Sequence, residues 1–230
     1  MKPSLLDMYV RVWESTRARG FYKFRDESPD ISFDDFVKNA YADLIAHYQE
    51  GQRVSNTLDH VEFMLNEFSD PEGILRREVA DPDSLEFALF YYRSRYEPGS
   101  NMNERRSAEF AQAVMLAGGV PPAICIRTFH LILDAQPNTL ARTTDSEYFE
   151  DIRHAILGSP LKKFHRYEDG IRRELMSYLT LEEYFEKRTK DFQSLLEREQ
   201  LFNSPYFQQR CERRARANLS EAIDSFSTRH

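Results

Sequence analysis

Apolar positions along this chain recur with the period of an α-helix, and the period-two alternation of strands is absent. Leu5, Leu6, Tyr9, Val12 and Trp13 share one face behind Ser4, which is placed to cap a first helix ending near Gly20. A second stripe of Phe36, Val37, Ala40, Tyr41, Leu44 and Tyr48 follows Ser32, with Asp34 and Asp35 at the positive end of the helix dipole and Gly51 as a stop. The same spacing predicts helices over 55–68, 84–93, 103–116, 123–133, 146–157, 162–177, 181–199 and 205–225. Turn residues punctuate them: a Pro-Gly pair at 98–99, Gly118-Gly119 before Pro121-Pro122, Gly158, and the Thr180/Glu183 capping box. Asn103 reads as an N-cap.

Residues 84–93 are apolar on almost every side, through Leu85, Phe87, Ala88, Leu89, Phe90 and Tyr91, which marks the central helix of a bundle. The expected fold is therefore all-α, a single-domain bundle of about eight to ten helices. The N-terminal helix and loop over 1–35 are expected to pack on that core.

Composition narrows the function more than the fold. A formal net charge of −7 repels polyanions, so nucleic acid is not an expected partner. Cys125 and Cys211 are too few for a disulfide framework and lack the paired spacing of a zinc site, so both read as reduced thiols. Charges at Asp7, Arg11 and Glu14 interrupt any signal-like apolar run, and the expectation is a cytoplasmic protein without a membrane span. Aromatic residues make up 13% of the chain, enough for a homodimer or protein-partner surface. The basic run Arg210, Arg213, Arg214, Arg216 is either a solvated face or a surface for an acidic partner.

Three segments carry chemical information. The stretch 87–108 joins an aromatic helix end, Tyr96, a Pro-Gly turn and the helix start Asn103-Glu104-x-x-Ser107-Ala108. Upstream lie Arg53, Asn56, Thr57, Leu58 and His60; downstream lies Asp151-Ile152-Arg153-His154-Ala155-Ile156-Leu157-Gly158. In order and spacing, residues 36–223 resemble a subgroup of the HD-type metal-dependent phosphohydrolases. Its segments read Arg-x-Tyr-His-Asn/Thr-Leu-x-His-Ile, aromatic-His-Asp with a following tyrosine, and Asp-x-Asp-Leu-x-Ile-Leu-Gly. Further matching positions are Tyr167, Ile171, Arg172, Glu174, Tyr184, Arg188, Ala215, Arg216, Asn218 and Leu219.

The resemblance implies an HD-like helical fold and, in the family, divalent cations held by His and Asp that activate water and neutralise phosphoryl charge. Here the ligand positions hold Asn56, Tyr92 and Arg93, and one of the two later aspartates is Arg153, leaving Asp151. An amide is a poor ligand and a guanidinium repels a cation. The resemblance thus implies a catalytically inactive homologue without metal or other cofactor, whose vestigial site comprises Asn56, His60, Tyr92, Arg93, Asp151 and Arg153. Either Arg93 and Arg153 bind a phosphorylated small molecule or nucleotide, or each pairs with a carboxylate such as Asp59, Asp151 or Glu104 and the cavity is closed. The alternatives are a nucleotide phosphohydrolase or pyrophosphohydrolase with a rearranged site, and a pure interaction module.

Metal analysis of the purified protein is expected to find no stoichiometric Mn, Fe, Co, Ni or Zn. A full equivalent bound at a site containing Asn56 or Asp151 would overturn this reading.

Overall fold

The computed structural model describes residues 3–19, 31–69, 72–136, 141 and 143–228. These residues form one all-α bundle with no strand among them. The expected first stop at Gly20, the loop after it and the turn at Asp70-Pro71 fall outside or partly outside the described residues. No helix among the described residues is long and apolar enough to cross a membrane.

The centre is α5 (Pro82–Tyr91), in which every residue from Asp83 to Tyr91 is buried. Its apolar flank meets α1 (Leu5–Ala18), where the Tyr9 and Tyr91 hydroxyls lie 2.6 Å apart and Trp13 meets Phe87 edge-on at 5.3 Å. Its buried acids require countercharges, because an unpaired carboxylate in a core is costly. Arg19 of α1 binds Asp81 at 2.8 Å and Asp83 at 2.9 Å; Arg11 binds Glu86. Arg76, on the short α4 (Ile74–Glu78), and Arg127, on α7 (Pro122–Leu133), add bonds of 2.7 Å each to Glu86 and Asp81.

Around this core stand α2 (Phe33–Tyr48), α3 (Leu58–Phe68), α6 (Asn103–Ala117), which pairs with α7, and α8 (Thr144–His154). A 3₁₀ turn, Ala155–Gly158, leads to the second half of the bundle, α9 (Leu161–Leu175) and α10 (Leu181–Leu196). The last helix enters as α11 (Pro205–Phe207), passes through a π segment, Gln208–Glu212, and continues as α12 (Arg213–Ser227). Phe185, Phe192 and Phe226 join α10 to α12, with the Phe185–Phe226 ring centres 5.0 Å apart. Asn218 fastens α12 to the 3₁₀ turn through the carbonyls of Leu157 (2.7 Å) and Ser159 (2.9 Å).

Local expectations differ from the structure in several places. α4 lies where no helix was read, because five residues carry too little periodicity to be seen. The helix expected over 84–93 ends at Tyr91. Met102, not Asn103, occupies the cap of α6, and the Asn103 amide instead bridges the Pro-Gly turn, accepting from Glu97 N and donating to Glu97 O at 2.9 Å each. Of the large apolar side chains that are exposed among the described residues, only Tyr178 is aromatic. The basic run on the last helix lies on a solvated face: Arg210, Arg213 and Arg214 are exposed, with bonds from Arg210 to Glu67, from Arg214 to Gly158 O and from Arg216 to Glu212 at 2.7 Å.

Gly118 ends α6 directly beneath α1, and a Cβ there would stand 2.2 Å from the Trp13 ring and 2.6 Å from Phe36. Trp13 is fully buried and Phe36 packs against it with ring centres 5.7 Å apart. Gly118→Ala is expected to destabilise the fold by roughly 1–3 kcal/mol, measured by urea unfolding; an unchanged midpoint would contradict the packing of α1 on α6.

Candidate functional site

Arg53, Asn56 and His60 come from the loop before α3 and its first turn, and one carboxylate shapes that loop. Glu174 on α9 is buried and receives six hydrogen bonds. Its Oε1 accepts the consecutive backbone N–H groups of Val54 (2.7 Å), Ser55 (2.8 Å) and Asn56 (3.0 Å). Its Oε2 accepts from Ser55 Oγ (2.9 Å), Asn56 Nδ2 (2.6 Å) and Tyr96 Oη (2.9 Å). Three successive N–H groups turned to one side form an anion-binding nest, here filled by the chain's own carboxylate. Burial alone would raise the Glu174 pKa, but these donors outweigh it and hold it below the usual value. Gly170, one turn earlier on α9, permits the approach: a Cβ there would stand 2.9 Å from Ser55 Cβ.

The second wall is the end of α5. Tyr48 places its hydroxyl 2.9 Å from Phe90 O and 2.6 Å from Tyr92 O, satisfying carbonyls that the helix leaves open. Arg53, its side chain fully buried, donates to Arg93 O (2.8 Å), Ser94 O (2.9 Å) and Asn56 O (3.2 Å), and pairs with Glu50. Between these clamps Arg93 adopts φ +57°, the only positive φ outside glycine among the described residues. A left-handed arginine costs about 1 kcal/mol and persists only where its surroundings enforce it. The turn aims the Arg93 guanidinium at Asn56 Oδ1 (3.3 Å) and Glu104 Oε1 (3.2 Å), across the faces of Tyr92 and Tyr96. Burial opposes its charge, while the oxygens of Tyr92 and Glu104 more than restore it.

Arg153 reaches the same place from α8. Its Nη1 donates to Tyr92 Oη at 2.9 Å, and its guanidinium lies 4.8 Å from the centre of that ring. No carboxylate pairs with it among the described residues, and its Nε is buried without a partner. Arg93 and Arg153 thus flank one tyrosine in a cleft of about 600 Å³ that extends to the turn after α9 and to α10. Six cationic side chains line this cleft against three carboxylates among the described residues. Four of them, Lys187, Arg188, Lys190 and Arg198, pair with acids, as Arg93 does. Arg153 is the exception.

Two histidines complete the wall. His60 stacks on Tyr167 with ring centres 5.4 Å apart, and burial together with the charges of Arg93, Arg153 and Lys163 pushes its pKa down to about 3. His154 is likewise shifted down, by burial and then by Arg153. Both are neutral near pH 7, and the His60 imidazole has no hydrogen-bond partner among the described residues.

Of the residues singled out from the sequence, Asn56, His60, Tyr92, Arg93 and Arg153 line this cleft together. Asp151 does not. It is fully buried and accepts from Asn203 N (2.7 Å) and Nδ2 (3.1 Å) and from Ser204 N (2.7 Å) and Oγ (2.6 Å), pinning α8 to the segment before α11. Positions i and i+2 of a helix face apart, so Asp151 and Arg153 could not both enter one cavity. The two alternatives for the arginines divide: Arg93 takes Glu104, whereas Arg153 takes a phenol. Glu174, Tyr96 and Tyr167 stood among the matching positions, but their part in the wall depends on contacts the sequence does not display. Arg188 also stood among the matching positions and His154 within the third segment, but Lys187, Lys190 and Arg198 were not singled out, and nothing in the sequence places them at the cleft.

The residues present do not fit a divalent cation. The Asn56 amide is committed at both ends, to Glu174 and to Arg93, and the neighbouring positions carry a phenol and two guanidinium groups. No group of three or more His, Cys, Asp or Glu side chains among the described residues is arranged to hold a metal ion. The arrangement offers instead fixed positive charge, hydroxyl groups and a neutral imidazole. Comparison of the chain with protein-family models, curated proteins and solved structures finds no match.

Because Glu174 is held below the usual glutamate pKa, its contribution is full above about pH 4.5 and is lost as pH falls through its folded-state value. Glu174→Ala should cost roughly 3 kcal/mol or more, since it leaves buried N–H groups unmet. Glu174→Gln keeps an acceptor and is expected to cost less while flattening the acid limb of stability. Urea midpoints between about pH 7 and pH 3 measure both; an acid limb as steep in Glu174→Gln as in the native chain would rule the assignment out.

Proposed function

We propose that this chain is a metal-free, catalytically inactive relative of the HD phosphohydrolases whose cleft binds a phosphorylated small molecule through Arg93 and Arg153. The observation that carries the reading is Arg153, a cation without a carboxylate, next to a second arginine that an enforced left-handed turn aims into the same cleft. A guanidinium without a carboxylate in a partly dry cavity is costly, and an anion with several acceptor oxygens relieves that cost by charge-assisted, bidentate bonds. The Tyr92 hydroxyl and the neutral imidazole of His60 stand beside them as further partners for phosphate oxygens. Support for the family reading rests on the order and spacing of the matching segments and on an all-α bundle that gathers the ligand-position residues Asn56, Tyr92 and Arg93 at one cleft.

A hydrolase with a rearranged site has one observation in its favour, the unpartnered imidazole of His60. Arginines stabilise developing phosphoryl charge but do not make hydroxide at neutral pH, and an imidazole with a pKa near 3 is a weak base. Binding without turnover is therefore the better account.

Titration with inorganic phosphate, pyrophosphate and nucleoside mono- and diphosphates is expected to raise Tm in a concentration-dependent way for at least one of them. Arg153→Met should weaken that binding roughly tenfold or more, a loss of about 1.4 kcal/mol. Absence of stabilisation by every phosphate, or full affinity in Arg153→Met, would remove the proposal; phosphate release abolished by Arg93→Ala would replace it with the hydrolase.

A further inference from the structure

A second cavity, of about 460 Å³, shares His60, Ile156 and Tyr167 with the arginine cleft but has its own cations. Its walls are Phe63 of α3, Pro160 and the first turns of α9, which present Lys162, Lys163 and Arg166. The three α9 side chains are exposed and form no ion pair among the described residues. Lys163 instead holds its amine 3.9 Å over the Phe63 ring, and burial draws its pKa down against the pull of Glu67. The only carboxylate on the cavity wall is Asp59.

Fold stability does not account for this arrangement. Lysines in the first turn of a helix oppose its dipole, and α9 has neither an acid in that turn nor a side-chain cap. On α10, by contrast, the cations at the cavity edge are matched to acids. Three unmatched cations beside an apolar hollow of ligand size complement a molecule that is apolar at one end and anionic at the other.

We propose that this cavity is a binding site for a small amphipathic anion. Its apolar body lies against Phe63, Ile156, Pro160 and Tyr167, and its single carboxylate or phosphate head is held by Lys162, Lys163 and Arg166. The site uses none of the arginines of the neighbouring cleft and stands or falls independently of it.

Isothermal titration with phenyl phosphate, phenylacetate and octanoate tests the proposal, with inorganic phosphate and benzyl alcohol as head-only and body-only probes. At least one amphipathic probe is expected to saturate and to bind at least about tenfold tighter than either fragment. Comparison among the three then tells a phosphate head from a carboxylate and an aromatic body from an acyl chain. The double variant Lys162→Gln, Lys163→Gln should lose roughly tenfold or more in affinity, while Arg153→Met leaves it unchanged. Both lysines are exposed, so the variant is expected to keep the native Tm and circular dichroism. No saturable binding, full affinity in the folded double variant, or loss in Arg153→Met would each overturn the assignment; the last would place the probe in the arginine cleft instead.

Discussion

The arginine cleft depends on one buried carboxylate. Glu174 fills the nest formed by the N–H groups of Val54, Ser55 and Asn56, and in doing so fixes the entry to α3, the rotamer of Asn56 and the hydroxyl of Tyr96. Asn56 then has only its carbonyl oxygen left to offer, and that oxygen receives Arg93. A negative charge recruited from α9 therefore ends by positioning a positive one at the end of α5. The coupling runs through a connected set of hydrogen bonds that joins the loop, the helix end and the cleft wall.

Positive charge is distributed unevenly over the molecule. Around the N-terminal half of α5, Arg11, Arg19, Arg76 and Arg127 each meet an acid, and the result is a network holding α1, α4 and α7 to the core. At the opposite end of the same helix the acids run short: Glu104 answers Arg93, a phenol answers Arg153, and Lys163 meets the Phe63 ring. One helix thus has a saturated end that serves stability and an unsaturated end where added negative charge is favourable.

The bundle was legible in the sequence because helical periodicity and capping residues are local. Ser4, Ser32 and Thr180 cap the helices they were assigned, and the all-apolar character of 84–93 identified the central helix. What local reasoning missed was settled by distant partners. α5 stops at Tyr91 because Tyr48 and Arg53 take the carbonyls beyond it, and nothing within 84–93 announces either donor. Asp151 and Arg153 were grouped by their neighbourhood in the chain, yet the helix sends them to opposite sides, one to Ser204 and one to Tyr92. The cleft's five common residues were legible as positions; the asymmetry between a paired Arg93 and an unpaired Arg153 was not, since it depends on which acids fold back within reach.

The saturated end of α5 also constrains how this sequence can change over time. Arg19 and Asp81 stand 62 positions apart, and Asp81 is wholly buried while it also receives Arg127. Loss of Arg19 alone leaves Asp81 and Asp83 short of charge in the interior, and loss of Asp81 alone leaves Arg19 with only Asp83 and Arg127 without its acid. Neither step is neutral, whereas exchange of the whole group for apolar residues of similar volume can be. The first helix and the central helix are therefore inherited as a unit: substitutions at their contact are expected to co-vary among descendants of this chain, and an α1 transplanted from a bundle without these arginines would not seat on this α5.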